Sequence, residues 1–202
     1  MTLITAPASF LAVMTEGDVW FERTDFETRS IFNKKRQVIS YASASHWRVS
    51  MRTAPRRTDE AGEWRRFVMQ LRGRENWFAF PMPLYPGPQT GYAGAAKVDG
   101  ADQSGFSLLL KGLTPGADIL AAGDFFTVVN QCLMTDADVT ADGSGEAEVS
   151  FDAPLRTSPA DEADLELAAP YFLCASSTSG AAKWSGSPVS RSTFTFAGAE
   201  HF

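Results

Sequence analysis

The stretch HWRVSMRT, residues 46–53, alternates apolar side chains with basic or polar ones without a break. The odd positions from Trp47 to Met51 are apolar, and the even positions from Arg48 to Arg52 are basic or polar. Because successive side chains of a strand point to opposite faces, this period of two predicts a half-buried β-strand. We expect its arginine face to be exposed or to lie at an interface.

Short runs of strand-like sequence continue on both sides of this stretch. They are rich in β-branched and aromatic residues and are separated by Gly, Pro and Asp, which is typical of strands joined by turns. The runs are DVWFE (18–22), RSIFN (29–33), RQVIS (36–40), NWFAF (76–80), AAKVDG (95–100), FSLLLKGL (106–113), DFFTVVNQCLM (124–134), EAEVSF (146–151), APLR (153–156), APYFLCASS (169–177), AAKWSGS (181–187) and SRSTFTFAG (190–198). With 44% hydrophobic residues the chain can bury a core, and we predict a mainly β fold.

One segment, TDEAGEWRRFVMQLRG at residues 58–73, has a different period. Its apolar residues fall at helical spacing, at Ala61, Trp64, Phe67, Val68 and Leu71. Asp59 and Glu60 stand where the helix dipole favours negative charge, and Gly73 can end the helix with a positive φ. The sequence therefore predicts one amphipathic helix.

Composition and charge divide the chain into modules. Residues 1–85 carry a net charge of +4, residues 86–165 carry −10, and residues 166–202 carry none. The first change of charge falls in PMPLYPGPQTGYAG (81–94), whose four prolines and three glycines predict a linker. We therefore predict one β domain built from 1–85 together with 166–202, interrupted by a small antiparallel barrel or sandwich over 86–165.

The acidic stretch DADVTADGSGEAEVSF, residues 136–151, raises the question of a calcium site. A loop of the EF-hand type needs Gly at its sixth position and Glu at its twelfth. Counting from Asp138 places Val149 at the twelfth position, and counting from Asp136 places Ala141 at the sixth. The stretch is therefore predicted to be a turn at ADGSGE (141–146) that leads into a strand.

The remaining polar residues show no pattern of catalysis or ligation. The two histidines, His46 and His201, and the two cysteines, Cys132 and Cys174, have no metal-ligand spacing. No nucleophile elbow and no phosphate loop is present. We therefore assign no catalytic, cofactor-binding or metal-binding residue and expect no cofactor. The cysteines lie in apolar runs and are predicted to be buried and free, as in a protein assembled in the cytosol.

Eight arginines between Arg48 and Arg74 form the one basic cluster, which Asp59, Glu60 and Glu63 dilute. We interpret the cluster as a solvated or subunit-facing surface and not as a nucleic-acid site. Of the five tryptophans, Trp184 has the most polar surroundings and is the candidate for an exposed ring; the core is the predicted place of Trp20, Trp47, Trp64 and Trp77. No run is long enough to span a membrane, and we expect no signal peptide.

Several motifs resemble those of a known family. The segment WRRFVMQLRGRENWFAFPMP (64–83) is similar to the helix, Arg-Gly and aromatic strand of the distal tail proteins of long-tailed bacteriophages. The second half resembles the same family in SGFSLLLKGL, LAAGDFFTV, TADGSGEAEVSF and APLRTSPADEADLELAAPYFL, with Gly123-Asp124, the turn at Asp142–Gly145 and Pro154-Leu155-Arg156. The resemblance covers most of residues 46–173 in order.

The resemblance implies a β-sandwich domain that assembles into a six-membered ring, with a small barrel of the OB-like or galectin-like type inserted in it. Such a ring would sit at the tail tip of the virion and join the tail tube protein to the hub, baseplate or fibre proteins. An accessory role in adsorption to a host surface glycan stays open. The alternatives are a carbohydrate-binding module without catalytic activity, with Trp184 or Tyr92 as the stacking ring, and a hydrolase with dispersed carboxylates.

Overall fold

The computed structural model describes residues 2–7, 10, 14–57, 60–178, 180–187 and 191–202. Among them are one α-helix, α1 (Ala61–Leu71), and one short 3₁₀ turn (Ala42–Ala44). The strands are β1 (Leu3–Ile4), β2 (Met14–Glu22), β3 (Asp25–Arg29), β4 (Arg36–Ser40), β5 (His46–Thr53), β6 (Arg56–Arg57), β7 (Trp77–Pro81), β8 (Lys97–Val98), β9 (Ser107–Lys111), β10 (Asp118–Leu120), β11 (Phe125–Val128), β12 (Gln131–Met134), β13 (Val139–Thr140), β14 (Ala147–Ser150), β15 (Tyr171–Ser176), β16 (Lys183–Ser187) and β17 (Arg191–Glu200). The predicted mainly β fold with one helix is confirmed.

The chain forms two compact units. The first contains Met1–Phe21, His46–Pro83 and Phe172–Phe202, and the second contains Glu22–Ser45 and Leu84–Tyr171. The predicted domain limits at 85/86 and 165/166 stay a prediction. Segment 22–45 had been assigned to the first domain, whereas its contacts group it with the second unit.

An eight-stranded sheet forms the first unit. Its strands follow the order β1-β7-β15-β17-β5-β2, and β16 and β6 also pair with the long strand β17. Strand β5 occupies the predicted residues, and its apolar side chains from Trp47 to Met51 are buried as the alternation requires. Because β2 is the last strand of this order, it forms an edge of the sheet.

Helix α1 buries its apolar stripe in an aromatic cluster. Ala61, Trp64, Phe67 and Leu71 are buried, as their spacing predicts. Phe67 packs edge-on against Phe78 of β7, with 4.9 Å between the ring centres. The helix ends at Leu71, and both Arg72 and Gly73 take positive φ beyond it, at 47° and 70°, so the predicted role of the glycine is confirmed. The predicted dipole contact of Asp59 lies outside the described residues.

Small antiparallel sheets form the second unit. They are the ladder β8-β9-β14 and the pairs β10-β13, β11-β12 and β3-β4. Isolated bridges join other parts of the unit, at Lys97 with Asp164, Thr127 with Glu166 and Thr135 with Phe151. Buried apolar side chains such as Leu108, Leu110 and Phe126 fill its interior.

Three strand predictions are wrong in the second unit. Residues 31–33 form a turn and not part of a strand, because the hydroxyl of Ser30 accepts bonds from the backbone N–H groups of Phe32 and Asn33. The run 124–134 is a hairpin, because Val129 and Asn130 both take positive φ, at 46° and 62°, and fold β11 back onto β12. The run APLR contains no strand residue.

In the part of the chain that the structure describes, no helix is both long and apolar enough to cross a bilayer.

Candidate functional site

Within the acidic stretch 136–151, residues 141–146 form a turn between β13 and β14, as predicted. One carboxylate oxygen of Asp142 accepts the backbone N–H groups of Ser144 at 2.8 Å and Glu146 at 3.0 Å. These two bonds, the Glu146 bond foremost, hold the pKa of the Asp142 carboxyl below its usual range. Gly145 takes φ +79°, and a side chain there would meet the carbonyl oxygen of Leu113. The described residues contain no cluster of three or more metal-ligating side chains.

The histidines and cysteines occupy ordinary packing positions. His201 stacks on Trp77 with 4.2 Å between ring centres, and His46 faces Phe202 at 6.2 Å. Cys132 and Cys174 are free and buried, which confirms the prediction. Burial raises the pKa of the Cys174 thiol, and the nearby charge of Glu200 adds to this effect. A buried neutral thiol of this kind is inert packing.

Sequence reasoning missed one buried carboxylate, Asp124 of the second unit. Its side chain is fully buried and accepts the backbone N–H groups of Gln89 at 3.0 Å and Ala121 at 2.9 Å. Burial raises the pKa of the neighbouring Tyr85 hydroxyl, and the Asp124 charge raises it further. The carboxylate therefore links the proline-rich segment 81–94 to the turn before β11 through these two hydrogen bonds. Its bond to Gln89 spans 35 residues, which no local sequence pattern reveals.

A second group of charges surrounds Lys111 at the end of β9. Its ammonium lies 2.7 Å from carboxylate oxygens of Asp161 and Glu162 and 3.5 Å from Asp99. The bonds to Asp161 and Glu162 raise the pKa of Lys111. Lys97 lies 3.4 Å from Glu162. The two lysines balance only two of the four carboxylates around them, which are Asp99, Asp161, Glu162 and Asp164, so this cluster keeps a net charge of −2.

Exposed carboxylates are spread over the rest of the second unit. Asp138 accepts the N–H of Ala122 at 2.8 Å, and Asp136 bonds to the hydroxyl of Ser150. Glu146 and Glu148 are exposed, and among the described residues neither has an ion-pair partner. Taken over its two segments, the second unit carries a net charge of −9, whereas the first carries +3.

The basic face of the first unit is the arginine side of β5, whose neighbour β2 carries the acidic residues Glu16, Asp18 and Glu22. Arg48 is half-buried, with its guanidinium 6.0 Å from the ring centre of Trp20, and the exposed Arg52 lies 4.0 Å from Glu16. The even positions of β5 therefore face away from the core, as predicted. The exposed pair of Arg52 with Glu16 is worth little on its own.

Two tryptophan rings are exposed. Trp184 on β16 is 43% exposed, which confirms its prediction, and Trp20 on β2 is also 43% exposed, although its strand position had suggested the core. Tyr92 belongs to the second unit, and its hydroxyl donates to the carbonyl of Ala95 at 3.2 Å. The two rings considered as a sugar platform, Trp184 and Tyr92, thus belong to different units.

The β3–β4 hairpin is an exposed regular element of the second unit. Every residue of both strands is exposed, including Phe26, Val38 and Ile39. At the tip, Phe32 is 92% exposed. Within one copy the apolar side chains of this hairpin are therefore uncovered.

Comparison with known proteins gives no relative: the chain matches no protein-family model, and no curated protein resembles it significantly. Its function therefore has to be argued from the surfaces described above, which are a basic face, an acidic unit and an exposed apolar hairpin.

Proposed function

We propose that this chain is a structural protein of a phage tail tip. In this proposal it is a distal tail protein that forms a ring, without enzymatic activity, and connects the tail tube to the hub, baseplate or fibre proteins. It would be assembled in the bacterial cytoplasm and reside at the tip of the virion tail. The motifs of residues 46–173 support this assignment, because they follow the family's order.

The single observation that carries the proposal is the opposite charge of the two units. A ring is closed by heterologous contacts, in which one surface of a copy meets a different surface of the next. A unit of +3 and a unit of −9 in the same chain provide such unlike surfaces. Opposite patches attract neighbouring copies and help to select their orientation.

The proposal includes a finer description of the fold. The first unit, with its eight-stranded sheet, would be the β-sandwich that forms the ring. The second unit would be the small OB-like or galectin-like barrel. The isolated bridges support this description, since residues 164 and 166 pair with Lys97 of β8 and Thr127 of β11, and Thr135 beside β12 pairs with Phe151 beside β14.

Light scattering on the purified protein tests the assembly, at several protein concentrations and at low and high salt. One chain has a mass of 21.9 kDa. We expect a six-fold species, visible as rings in negative stain, that dissociates as salt screens the charges. A chain that stays monomeric at every concentration, alone and with the tail tube protein added, would contradict the proposal.

A second candidate function is glycan binding without catalysis, which the exposed ring of Trp184 favours. An exposed tryptophan offers an apolar face on which a sugar ring can stack. Glycan-array binding that is lost in Trp184→Ala and retained in Trp20→Ala, the equally exposed ring of the same unit, would support it. Equal loss in both variants, or no binding by the wild type, would rule it out. The same experiment tests an accessory role in adsorption.

A further inference from the structure

The β3–β4 hairpin has two chemically different faces. The ladder pairs Phe26 with Ile39 and Glu27 with Val38. Because directly paired residues of an antiparallel ladder share a face, Phe26 and Ile39 lie on one side. Tyr41, whose N–H bonds to the carbonyl of Thr24 in the next pair, lies on the same side. This side, called here the apolar face, consists mainly of Phe26, Ile39 and Tyr41.

The other side of the hairpin is stabilised by its own charges. Glu27 lies 2.6 Å from Arg29 and 3.0 Å from Arg36, so these three side chains satisfy one another. Val38 stands beside them. The apolar face has no such internal partner, and Phe26 is 58% exposed in it. An isolated two-stranded hairpin is marginally stable in water, so this face gains most from being covered.

The base of the hairpin is fixed within the second unit. Arg23 lies 3.2 Å from a carboxylate oxygen of Asp152, and the guanidinium of Arg156 donates to the carbonyl of Ser45 at 2.7 Å. The loop at the tip is closed by backbone bonds between Ser30 and both Lys34 and Lys35. The exposed apolar face is therefore held by an anchored, hydrogen-bonded element.

Charge indicates what covers the face. Segment 23–41 contains five basic and two acidic residues, whereas the remainder of the second unit contains three basic and fifteen acidic residues. Lys34 and Lys35 at the tip are exposed, and no carboxylate of the described residues pairs with them. The hairpin is thus basic and apolar, and it projects from a unit that is otherwise strongly acidic.

The same unit has an exposed surface with the complementary properties. On the outer side of the β9–β14 ladder, Leu109 is 48% exposed and stands directly opposite the exposed Glu148. Ser107 and Ser150 lie on the same side as this pair, and Asp136 reaches it through its bond to Ser150. We call this surface, made of Leu109, Asp136 and Glu148, the acidic ladder face. Because the hairpin's apolar face and the acidic ladder face are both exposed within one copy, neither covers the other.

We propose that the hairpin of one copy docks on the acidic ladder face of a second copy. Phe26, Ile39 and Tyr41 would cover Leu109, while Lys34 and Lys35 would approach Glu148 and Asp136. This contact joins two different surfaces, so it propagates head to tail and suits a ring. The inference rests on the proposed function and names the surfaces through which copies associate.

An anionic membrane is the competing occupant, since Ile31 and Phe32 stand beside two lysines at the tip. A bilayer surface would engage the tip, whereas the apolar face continues along both strands to Tyr41 at the base. A protein surface can cover the whole length of the face. The observations therefore favour a second copy.

Sedimentation velocity over a range of concentrations tests the inference on four variants of the full chain. Phe26→Ser removes a side chain of the apolar face, and Val38→Ser is the matched control on the opposite face of the same hairpin. Lys34→Glu with Lys35→Glu reverses the tip, and Glu148→Lys reverses the acceptor. All five side chains are exposed, so circular dichroism and melting should match the wild type.

We expect Phe26→Ser to weaken self-association at least tenfold and Val38→Ser to change it less than twofold, because only Phe26 is buried on docking. The tip variant and Glu148→Lys should each associate less tightly than the wild type. The two mixed together should regain association, since opposite charges then meet again.

The other outcomes overturn the inference in distinguishable ways. If Phe26→Ser associates like the wild type, the hairpin is not the contact, while the proposed ring stands. If the wild type forms only a dimer and Phe26→Ser abolishes it, the hairpin contact is supported and the proposed ring is contradicted. If the wild type stays monomeric at all concentrations, the docking is wrong. Binding of that monomer to vesicles containing anionic lipid, lost in Phe32→Ser, would then make the hairpin a membrane element.

Discussion

Asp124 offers the sharpest test of how the second unit is held together. We expect Asp124→Ala to destabilise the protein strongly, although no catalytic or binding role is assigned to this residue. The carboxylate is fully buried and accepts the backbone N–H groups of Gln89 and Ala121 at 3.0 and 2.9 Å. The substitution leaves both donors without their acceptor and loosens the proline-rich segment from the turn before β11.

The magnitude follows from these two bonds. A hydrogen bond to a charged group contributes about 1.5–3 kcal/mol, so the pair sets an upper limit of about 3–6 kcal/mol. Both donors are only part-buried, so water entering the site would replace part of the lost hydrogen bonding. We therefore expect a loss of about 2–4 kcal/mol in the free energy of unfolding. With a urea dependence of about 2 kcal/mol/M, the unfolding midpoint should fall by roughly 1–2 M.

The aromatic residues allow the two units to be followed separately. All five tryptophans belong to the first unit and all four tyrosines to the second. Urea unfolding should therefore be recorded by tyrosine second-derivative absorbance and by tryptophan fluorescence on the same samples. We expect the tyrosine transition of Asp124→Ala to move to lower urea by the amount given above.

Asp138→Ala is the matched control, since Asp138 is an exposed aspartate that accepts one backbone N–H, from Ala122. Its effect should stay within about 1 kcal/mol, as for most surface substitutions. If Asp124→Ala costs no more than Asp138→Ala, the assignment of Asp124 as the buried anchor of this segment is refuted.

Three further predictions concern single positions. Phe67→Ala should lower the free energy of unfolding by about 3–5 kcal/mol, because Phe67 is buried against Phe78. Met69→Ala, on the exposed side of the same helix, should cost far less. Equal effects of the two substitutions in urea unfolding would contradict this packing. Gly145→Ala should destabilise the protein by roughly 1–3 kcal/mol, because Gly145 has φ +79° and lies against the Leu113 carbonyl. Gly143 has open space around it, so Gly143→Ala should be nearly neutral in thermal unfolding. Cys132 and Cys174 should resist alkylation in the native protein and react after denaturation, and fast native labelling would contradict their burial. Because the folded pKa of Cys174 is raised, its contribution to stability is complete below the unfolded thiol's pKa and should be lost as the pH rises above it.

The elements that the sequence predicted correctly are those in which one local pattern determines the structure. The alternation of β5 and the helical spacing of Ala61, Trp64 and Leu71 both survive in the burial of those side chains. The turn at Asp142 was predictable for the same reason, since its hydrogen bonds stay within four residues of that side chain.

The sequence pattern failed where backbone conformation or distant contacts decide. Val129 is β-branched and gives no sign of the positive φ it adopts, so the run through it was predicted as one strand instead of a hairpin. Ser30 and Asn33 are typical turn residues, but the apolar Ile31 and Phe32 between them give this run the composition of a strand. Trp20 shows the same limit, because its strand position cannot reveal that β2 is an edge.

Many carboxylates of this protein stabilise its loops by accepting backbone hydrogen bonds. These structural carboxylates can be distinguished from those that would contact another molecule. Asp124, Asp138 and Asp142 each accept backbone N–H groups, and Asp161 binds both Lys111 and the N–H of Gly100. These carboxylates need no ligand to explain them. Glu148, the lysines of the hairpin tip and the exposed ring of Phe26 have no comparable partner within the described part of the chain. Since exposed apolar and charged groups of this kind add nothing to the stability of a single copy, a surface that meets another molecule is the simplest physical reason for them, and the hairpin variants test that reason directly.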